Sequence, residues 1–585
     1  MAQTAGDILV ETLIDWGVEV VFGIPGDGIN GVFEALRTRQ DKIRFIQVRH
    51  EETAAFAACA YAKWTGRLGV CIATSGPGGI HLLNGIYDAK LDNQPVLAIT
   101  GLQYHDLLET FTQQDVALDK LFMEPCAYSV RVMGPEHVEN VTELACRIAL
   151  GYRQPTHISI PVDIQSMPVS KKERSKRNIP HHVSNTMSSG GHCPDARELQ
   201  YAAEVLSAAK KPFILAGRGA LGARAELEAM AEKLKAPIGM ALLGKGAIPD
   251  RSPYATGGVG LLGTRASQEA FQGCDTLLIV GSTFPYIEFY PEPGQARAIQ
   301  IDLDPKRIGL RCPVEAGLVG DSRVTLATLL PLVEENKDRK FLDTAQKAMK
   351  DWRELMDERG TRRDTPMKPQ VVTHELNKLL DDDAIVITDS GTVTSWTARH
   401  IEMRGEMMFS CSGTLASMAN GLGYAIAAAV AFPRRQVVAV IGDGAAAMLM
   451  GDLVTLRKYG LDNVRLVVIK NDALGQIKWE QMVFLGNPEF GCELEPIDFA
   501  AVARGCGLEA VTIEDPATCG DRLREAMQAN GPFLVEAVVD PNEPPLPPKV
   551  APDQAIHLAE ALAKGTSGAG KIAKTIAKDV VRELV

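Results

Sequence analysis

The densest chemical signal in the chain lies between Gly442 and Asn471. The apolar run Gln436–Ile441 shows no polar alternation and reads as a buried parallel strand. Gly442-Asp443-Gly444-Ala445 follows and opens a helical run. Gly442 and Gly444 let the backbone turn tightly and come close to a phosphate, and the first amides of the helix face it. Asp443 stands where a hard cation is held against a diphosphate. A second apolar strand, Val464–Ile469, ends in Lys470-Asn471 and brings an amide oxygen beside Asp443. Magnesium suits such a set, because it favours oxygen ligands from one or two carboxylates together with phosphates. Gly-Asp-Gly alone is an ordinary strand-to-helix turn; the strand-ending Asn at this spacing sharpens the reading.

A second carboxylate stands at the start of a helix. The strand Arg44–Val48 ends, and Arg49-His50-Glu51-Glu52 leads into an Ala-rich helix. Acids in a first turn complement the helix dipole. That is the reading for Glu52, and it is open to Glu51 as well, while His50 reads as a structural neighbour. Turn glycines close other strands: Gly23-Ile24-Pro25-Gly26-Asp27, Thr74-Ser75-Gly76-Pro77-Gly78-Gly79 and Asp389-Ser390-Gly391-Thr392. Ligands of open α/β sheets gather at such strand ends. Ser417-Met418-Ala419-Asn420-Gly421 precedes another Ala-rich helix, and Met418 by itself reads as a core methionine.

The elements that position these residues alternate. Short apolar strands (Val18–Phe22, Val70–Ala73, Val96–Thr100, His157–Pro161) are separated by helical patterns, which implies parallel sheets covered by helices. A chain of 585 residues holds about three to four domains of ordinary size. The expected division is an α/β unit over 1–165, a polar linker over 166–190, a second α/β unit over 191–340, a charged connector over 341–366, a third α/β unit over 367–545 and a tail over 546–585. The fold class expected is three consecutive doubly wound parallel-sheet domains. In the second unit the strand Pro212–Ala216 runs into Gly217-Arg218-Gly219-Ala220-Leu221-Gly222, a dinucleotide-type pattern. The acid that pattern needs is missing, because the next strand, Ile238–Leu242, is apolar. Later loops are more telling: Gly260-Leu261-Leu262-Gly263, Gly281-Ser282-Thr283-Phe284-Pro285-Tyr286, and Asp302 and Asp304 at a strand end, placed for ribose or adenine edges.

Composition excludes several classes. Hydrophobic residues make up 46%, enough for full cores. The net charge of −12 disfavours nucleic acid as a partner. No apolar run is long enough to span a membrane, and Met-Ala-Gln-Thr-Ala-Gly lacks a signal-peptide pattern. Eleven cysteines are scattered without a Cys-x-x-Cys pair, which argues for reduced thiols and a cytoplasmic setting, with neither a disulfide frame nor a zinc site. The last fifteen residues set Ile572, Ile576, Val580 and Leu584 among Lys571, Lys574, Lys578 and Arg582. Such a basic amphipathic helix suits peripheral contact with the inner face of a cell membrane, or docking on its own protein.

Taken together, Gly442–Asn471, His50-Glu51 before its Ala-rich helix and Ser75-Gly76-Pro77-Gly78 resemble the thiamine-diphosphate enzymes, and the central loops resemble the flavin domain of the pyruvate oxidases, with acetolactate synthase a close cousin. The resemblance spans Thr4 to about Pro548. It implies thiamine diphosphate, Mg2+ and FAD as cofactors. For thiamine diphosphate it implies Gly26, Ser75, Gly391, Thr392, Ser417, Met418, Gly442, Asp443, Gly444, Ala445 and Asn471, with Asp443, Asn471 and Ala473 on the metal. For FAD it implies Gly217, Gly260, Gly263, Gly281, Ser282, Thr283, Phe284 and Asp302. Glu51 is implied as the carboxyl that shares a proton with the aminopyrimidine, a role favoured by a dry pocket. Glu480 and Gln114 are implied as further catalytic groups. Met418 is implied as the wedge that keeps the cofactor bent.

The family ends its diphosphate motif in Asn-Asn, whereas Lys470 takes the first of these places. Gln113 and Gln476 replace aromatic residues that line the pyruvate pocket and the flavin path. The resemblance implies oxidative decarboxylation of pyruvate or a related 2-oxo acid, with electrons passing to FAD and then to a quinone or oxygen. A non-redox carboligase is the alternative. It also implies a homo-oligomer, at least a dimer and expected as a tetramer, with Glu51 and Gly442–Asn471 contributed by different subunits.

Overall fold

The computed structural model describes residues 3–170, 173–179, 185–187, 191–545 and 552–575. Three six-stranded sheets follow one another along the chain, and every pairing within them is parallel. This is the expected fold class. The first sheet contains β1 (Val20–Gly23), β2 (Arg44–Gln47), β3 (Gly69–Ala73), β4 (Val96–Leu102), β5 (Tyr128–Arg131) and β6 (Thr156–Pro161), in the order β2-β1-β3-β4-β6-β5. The second contains β7 (Pro212–Ala216), β8 (Ile238–Met240), β9 (Ala255–Gly258), β10 (Thr276–Val280), β11 (Arg297–Asp302) and β12 (Ala316–Val319). The third contains β13 (Ile385–Thr388), β14 (Met408–Ser410), β15 (Val437–Gly442), β16 (Val464–Lys470), β17 (Glu509–Ile513) and β18 (Phe533–Val538).

The third sheet, β14-β13-β15-β16-β18-β17, repeats the order of the first. The second, β12-β11-β10-β7-β8-β9, has the order of a dinucleotide-binding fold read from one edge. Chain direction across the sheet reverses between β1 and β3, between β7 and β10, and between β13 and β15. Open α/β sheets bind ligands at such switch points, and the turns singled out in the sequence sit there.

The first and third sheets meet through two Ala-rich helices, Glu51–Thr65 and Asn420–Ala431. Small side chains let the two backbones approach: a Cβ on Gly423 would come within 2.9 Å of Phe56 Cβ and 3.1 Å of Thr53 O. A buried polar network lies at this junction. Lys63 Nζ donates to Asp92 Oδ2 at 2.6 Å and to the Tyr424 hydroxyl at 2.5 Å, and Tyr424 donates to Asp88 Oδ2 at 2.6 Å. Burial alone would lower the Lys63 pKa, but the charges of Asp88 and Asp92 outweigh it and hold it above its ordinary value. Asp92 also accepts from Gly413 N at 3.0 Å and Thr414 N at 2.9 Å, so it fixes a loop of the third unit.

The helix Pro552–Ala563 packs on the helix Gly475–Leu485, and Trp479, Met482, Leu558, Ala561 and Ile572 form a small core there. Ile572, expected on the apolar stripe of the tail, is therefore docked on its own chain. Ile576, Lys578, Val580, Arg582 and Leu584 lie outside the described residues. No helix among the described residues is long and apolar enough to cross a membrane.

Candidate active site

β15 and β16, the two central strands of the third sheet, run side by side with Gly442 opposite Ile469, so the two ends of the motif meet at the carboxyl end of the sheet. The Asp443 carboxylate joins them. Its Oδ1 accepts from Gly444 N at 2.9 Å, and its Oδ2 accepts from Asn471 N at 3.0 Å and Asp472 N at 2.6 Å. Burial raises the Asp443 pKa to about 6 against the pull of these three backbone donors. Asn471 Oδ1 accepts from Ala473 N at 3.2 Å, and the Ala473 carbonyl accepts from Gly475 N at 2.8 Å. Asp443, Asn471 and Ala473 thus offer carboxylate, amide and carbonyl oxygens, a donor set that fits a hard divalent cation. Lys470 does not intrude: alternation along β16 sends its Nζ toward Asp472 (3.5 Å) and Glu536 (3.9 Å), and it is absent from the cavity wall.

Two glycines leave room for a diphosphate. A Cβ on Gly442 or on Gly391 would meet nothing within 4 Å, and Gly391 has φ +126°, so both expose bare backbone to the cavity. Thr392, at the start of the helix Thr392–His400, closes this side. Met418 reaches over the motif, since a Cβ on Gly444 would lie 3.3 Å from Met418 Cε. Asp389 holds Met418 there, a role not visible in the sequence. Its carboxylate accepts from Ser390 N at 2.8 Å, Ala419 N at 2.9 Å and Gly421 N at 2.9 Å. Ala419 consequently takes a left-handed conformation with φ +70°. Burial raises the Asp389 pKa to about 7 despite those donors.

The cavity beside this motif measures about 1670 Å³ and runs without a break to the switch point of the central sheet. There it is lined by Gly281, Ser282, Thr283, Phe284 and Asp302. Ala445, Gln476 and Glu480 line the other end, and Gln476 Nε2 donates to Glu480 Oε1 at 3.1 Å. Burial raises the Asp302 pKa. Gly217, Gly260, Gly263 and Ser417, expected to touch a cofactor, stand behind the wall. A Cβ on Gly217 would strike Gly281 O at 2.3 Å, one on Gly260 the Phe284 ring at 2.4 Å, and one on Gly263 Gly258 O at 2.3 Å, so these glycines serve loop packing. Ser417 Oγ instead accepts from Asn84 Nδ2 at 2.9 Å.

Arginines not singled out in the sequence also reach the cavity. Arg218 donates to Asp92 O at 3.1 Å and to Gln94 Oε1 at 2.8 Å. Its pKa falls to about 10, through burial first and then the nearby Arg153. Arg307 bonds Asn93 Oδ1 at 2.8 Å. Arginine in a glycine-rich loop suits an anionic ligand, and the sequence signal was present at Gly217-Arg218-Gly219.

Glu51, Gly26, Ser75, Gln113 and Gln114 do not line this cavity; they form a separate group at the ends of β1 and β3. Glu51 Oε2 lies 3.0 Å from His81 Nδ1, and a Cβ on Gly78 would be 3.4 Å from Glu51 Oε1. Ser75 Oγ donates to Gln114 Oε1 at 2.7 Å, with Gln114 at φ +58°. Gly26 packs on Thr74, and the Gln113 carbonyl accepts from Gln103 Nε2. Glu52 turns away to accept from Asn84 Nδ2 at 2.6 Å, and His50 caps the helix by accepting from Glu52 N at 3.2 Å.

Family models agree with this three-part build. The thiamine pyrophosphate enzyme N-terminal TPP binding domain matches residues 3–121, the central domain of the same enzymes 199–329, and their C-terminal TPP binding domain 389–537. The putative thiamine pyrophosphate-containing protein YdaP of Bacillus subtilis (strain 168) is 39% identical over 553 residues, 94% of either chain. Pyruvate oxidase of Lactiplantibacillus plantarum is 32% identical over 545 residues, covering 92% of this chain and 89% of that one. A probable acetolactate synthase large subunit of Methanocaldococcus jannaschii is 32% identical over 566 residues, 93% of either chain. The chain belongs to the thiamine pyrophosphate enzymes.

Proposed function

We propose that the protein catalyses thiamine-diphosphate-dependent oxidative decarboxylation of pyruvate or a related 2-oxo acid, passing electrons to FAD and onward to a quinone or oxygen. The observation that carries this reading is the cavity that runs from the Gly442–Asn471 motif to the switch point of the central sheet at Gly281–Asp302. The likeness to a pyruvate oxidase supports it. Equal identity to an acetolactate synthase supports a second reading, a non-redox carboligase with structural FAD or none.

Thiamine diphosphate, when bound, supplies a nucleophilic carbon and an electron sink, and FAD a two-electron acceptor. The chain's own residues supply the rest. Asp443, Asn471 and Ala473 would hold Mg2+, and the open backbone at Gly391, Thr392, Gly442, Gly444 and Ala445 would receive the diphosphate. Met418, held over the Gly444 turn by the loop that Asp389 braces, would pack against the cofactor. Glu51 would offer its carboxyl to the pyrimidine ring as a proton partner, with the strand ends that carry Gly26 and Ser75 on the same side of the first sheet. Gln114 and Glu480 face the reacting carbonyl, and Gln113 and Gln476 shape the substrate pocket. In this scheme the unit over 1–165 serves the pyrimidine, 191–340 the flavin and 367–545 the diphosphate.

Asp443 lines the large cavity and Glu51 of the same chain does not, so we assign the complete site to two copies. Exposed apolar side chains support this: Ile80, Leu107 and Phe111 on the Glu51 unit, and Met448, Ile477 and Phe490 on the Asp443 unit.

An anaerobic absorbance spectrum with thiamine diphosphate and Mg2+, taken before and after pyruvate, tests the function. Bleaching of a flavin band is expected; carbon dioxide release with the flavin still oxidised would favour the carboligase. The half-buried Gln476–Glu480 pair makes its end of the cavity polar. Hydroxylated or longer 2-oxo acids are therefore expected to turn over better than pyruvate. A strict pyruvate preference contradicts that expectation.

A further inference from the structure

Glu51 has two carboxylate oxygens, and they have different surroundings. Oε2 is bonded to His81 Nδ1 at 3.0 Å, while Oε1 faces the Thr74–Gly78 turn. His81 closes the short helix Pro77–His81 that follows β3, so the strand end that carries Ser75 also carries the partner of Glu51. The His50 ring stacks on His81 with centroids 4.7 Å apart and planes 27° apart. His50 is itself fixed, because its Nδ1 accepts from Glu52 N at 3.2 Å. The His81 side chain is 45% exposed, so it adds little to the core, yet both its ring face and its Nδ1 are engaged.

A carboxylate with one oxygen bonded to an imidazole N–H cannot rotate freely. The bond selects which oxygen stays available and sets its plane. Ligating side chains in many sites are held in this way, and loss of the outer partner costs about 10–100-fold in function. We propose that His81 is a positioning residue for Glu51: its Nδ1–H holds Oε2 so that Oε1 meets the pyrimidine nitrogen of the cofactor, and His50 stacked behind it fixes the imidazole plane. The His81 proton stays on Nδ1 throughout; the proton that moves passes between Glu51 and the ring. The inference rests on the role proposed above for Glu51.

The test is the exchange of the thiazolium C2 proton for deuterium in protein loaded with thiamine diphosphate and Mg2+, followed by quenched-flow NMR, together with cofactor affinity. His81→Phe keeps a ring to stack on His50 but removes the donor. His81→Gln removes the ring but keeps an N–H. Exchange in H81F is expected to slow about 10–100-fold, with H81Q recovering most of the rate. Cofactor affinity is expected to change less than about threefold in either variant, since the diphosphate site is untouched. Wild-type exchange in H81F overturns the proposal, and so does equal slowing in H81F and H81Q, which would mark a packing role. Glu51→Gln separates the two layers. If E51Q exchanges at the wild-type rate, the reading of Glu51 falls; if E51Q is slow while H81F is not, only the part given to His81 falls.

Discussion

Two buried carboxylates organise the third unit, and they do so by gathering backbone N–H groups. Asp443 ties the turn after β16 to the end of β15, and Asp389 ties the Ser417–Gly421 loop to the end of β13. Their pH behaviour follows from burial. The Asp389 pKa rises from an ordinary 3.8 to about 7, so between those values the folded chain keeps a proton that the unfolded chain has released. Its contribution to stability therefore falls as pH rises from 3.8 to about 7 and is constant above that. Asp389→Asn cannot accept all three N–H groups and is expected to lose about 1–3 kcal/mol, the cost of a buried unsatisfied donor. The gap between wild type and D389N in urea denaturation should be larger at about pH 5 than at about pH 8. An equal gap at both would contradict the shifted titration. The sequence made Asp443 and Asn471 legible because glycines and a strand end flank them. Asp389 sat in a turn that was noticed, but its own role was hidden because its partners lie about thirty residues downstream, beyond any local spacing rule. Lys470 stood out as a misfit, and only its place on the far side of β16 shows that it leaves the donor set intact.

At the scale of elements, the central strands were readable and several edge strands were not. β3, β4 and β10 are fully buried and accordingly almost wholly apolar, with Thr100 and Thr276 the exceptions. β5 and β17 are half-exposed with mixed composition, and β14 is three residues long, so neither periodicity nor apolar run marks them. The Ala-rich runs at Glu51–Thr65 and Asn420–Ala431 were legible as helices, but not as partners. Their pairing needs small residues on both faces, and Gly423 is a point of close approach. Gly423→Val places methyl groups against Phe56 and the Thr53 carbonyl. It is expected to cost about 1–3 kcal/mol by overpacking, read as a lowered denaturation midpoint. An unchanged midpoint would mean that the two helices do not pack as closely as 2.9 Å implies.

At the scale of the whole molecule, three sheets of two topologies divide the work. The first and third share a strand order with a switch point each, and the central sheet lines one end of the cavity with Gly281–Phe284 and Asp302. Asp92 and its neighbours link all three, with Asp92 bonded to Gly413 and Thr414, its carbonyl to Arg218, and Asn93 to Arg307. The central claim is that one active site needs Glu51 from one copy and Asp443 from another. Glu51→Gln and Asp443→Asn, each inactive by itself, test it most directly when the two proteins are unfolded together and reassembled. A mixed dimer then carries one site with both lesions and one with neither, and random pairing predicts recovery of about a quarter of wild-type activity. No recovery from well-folded mixed oligomers, or a fully active monomer in sedimentation, would contradict the shared site.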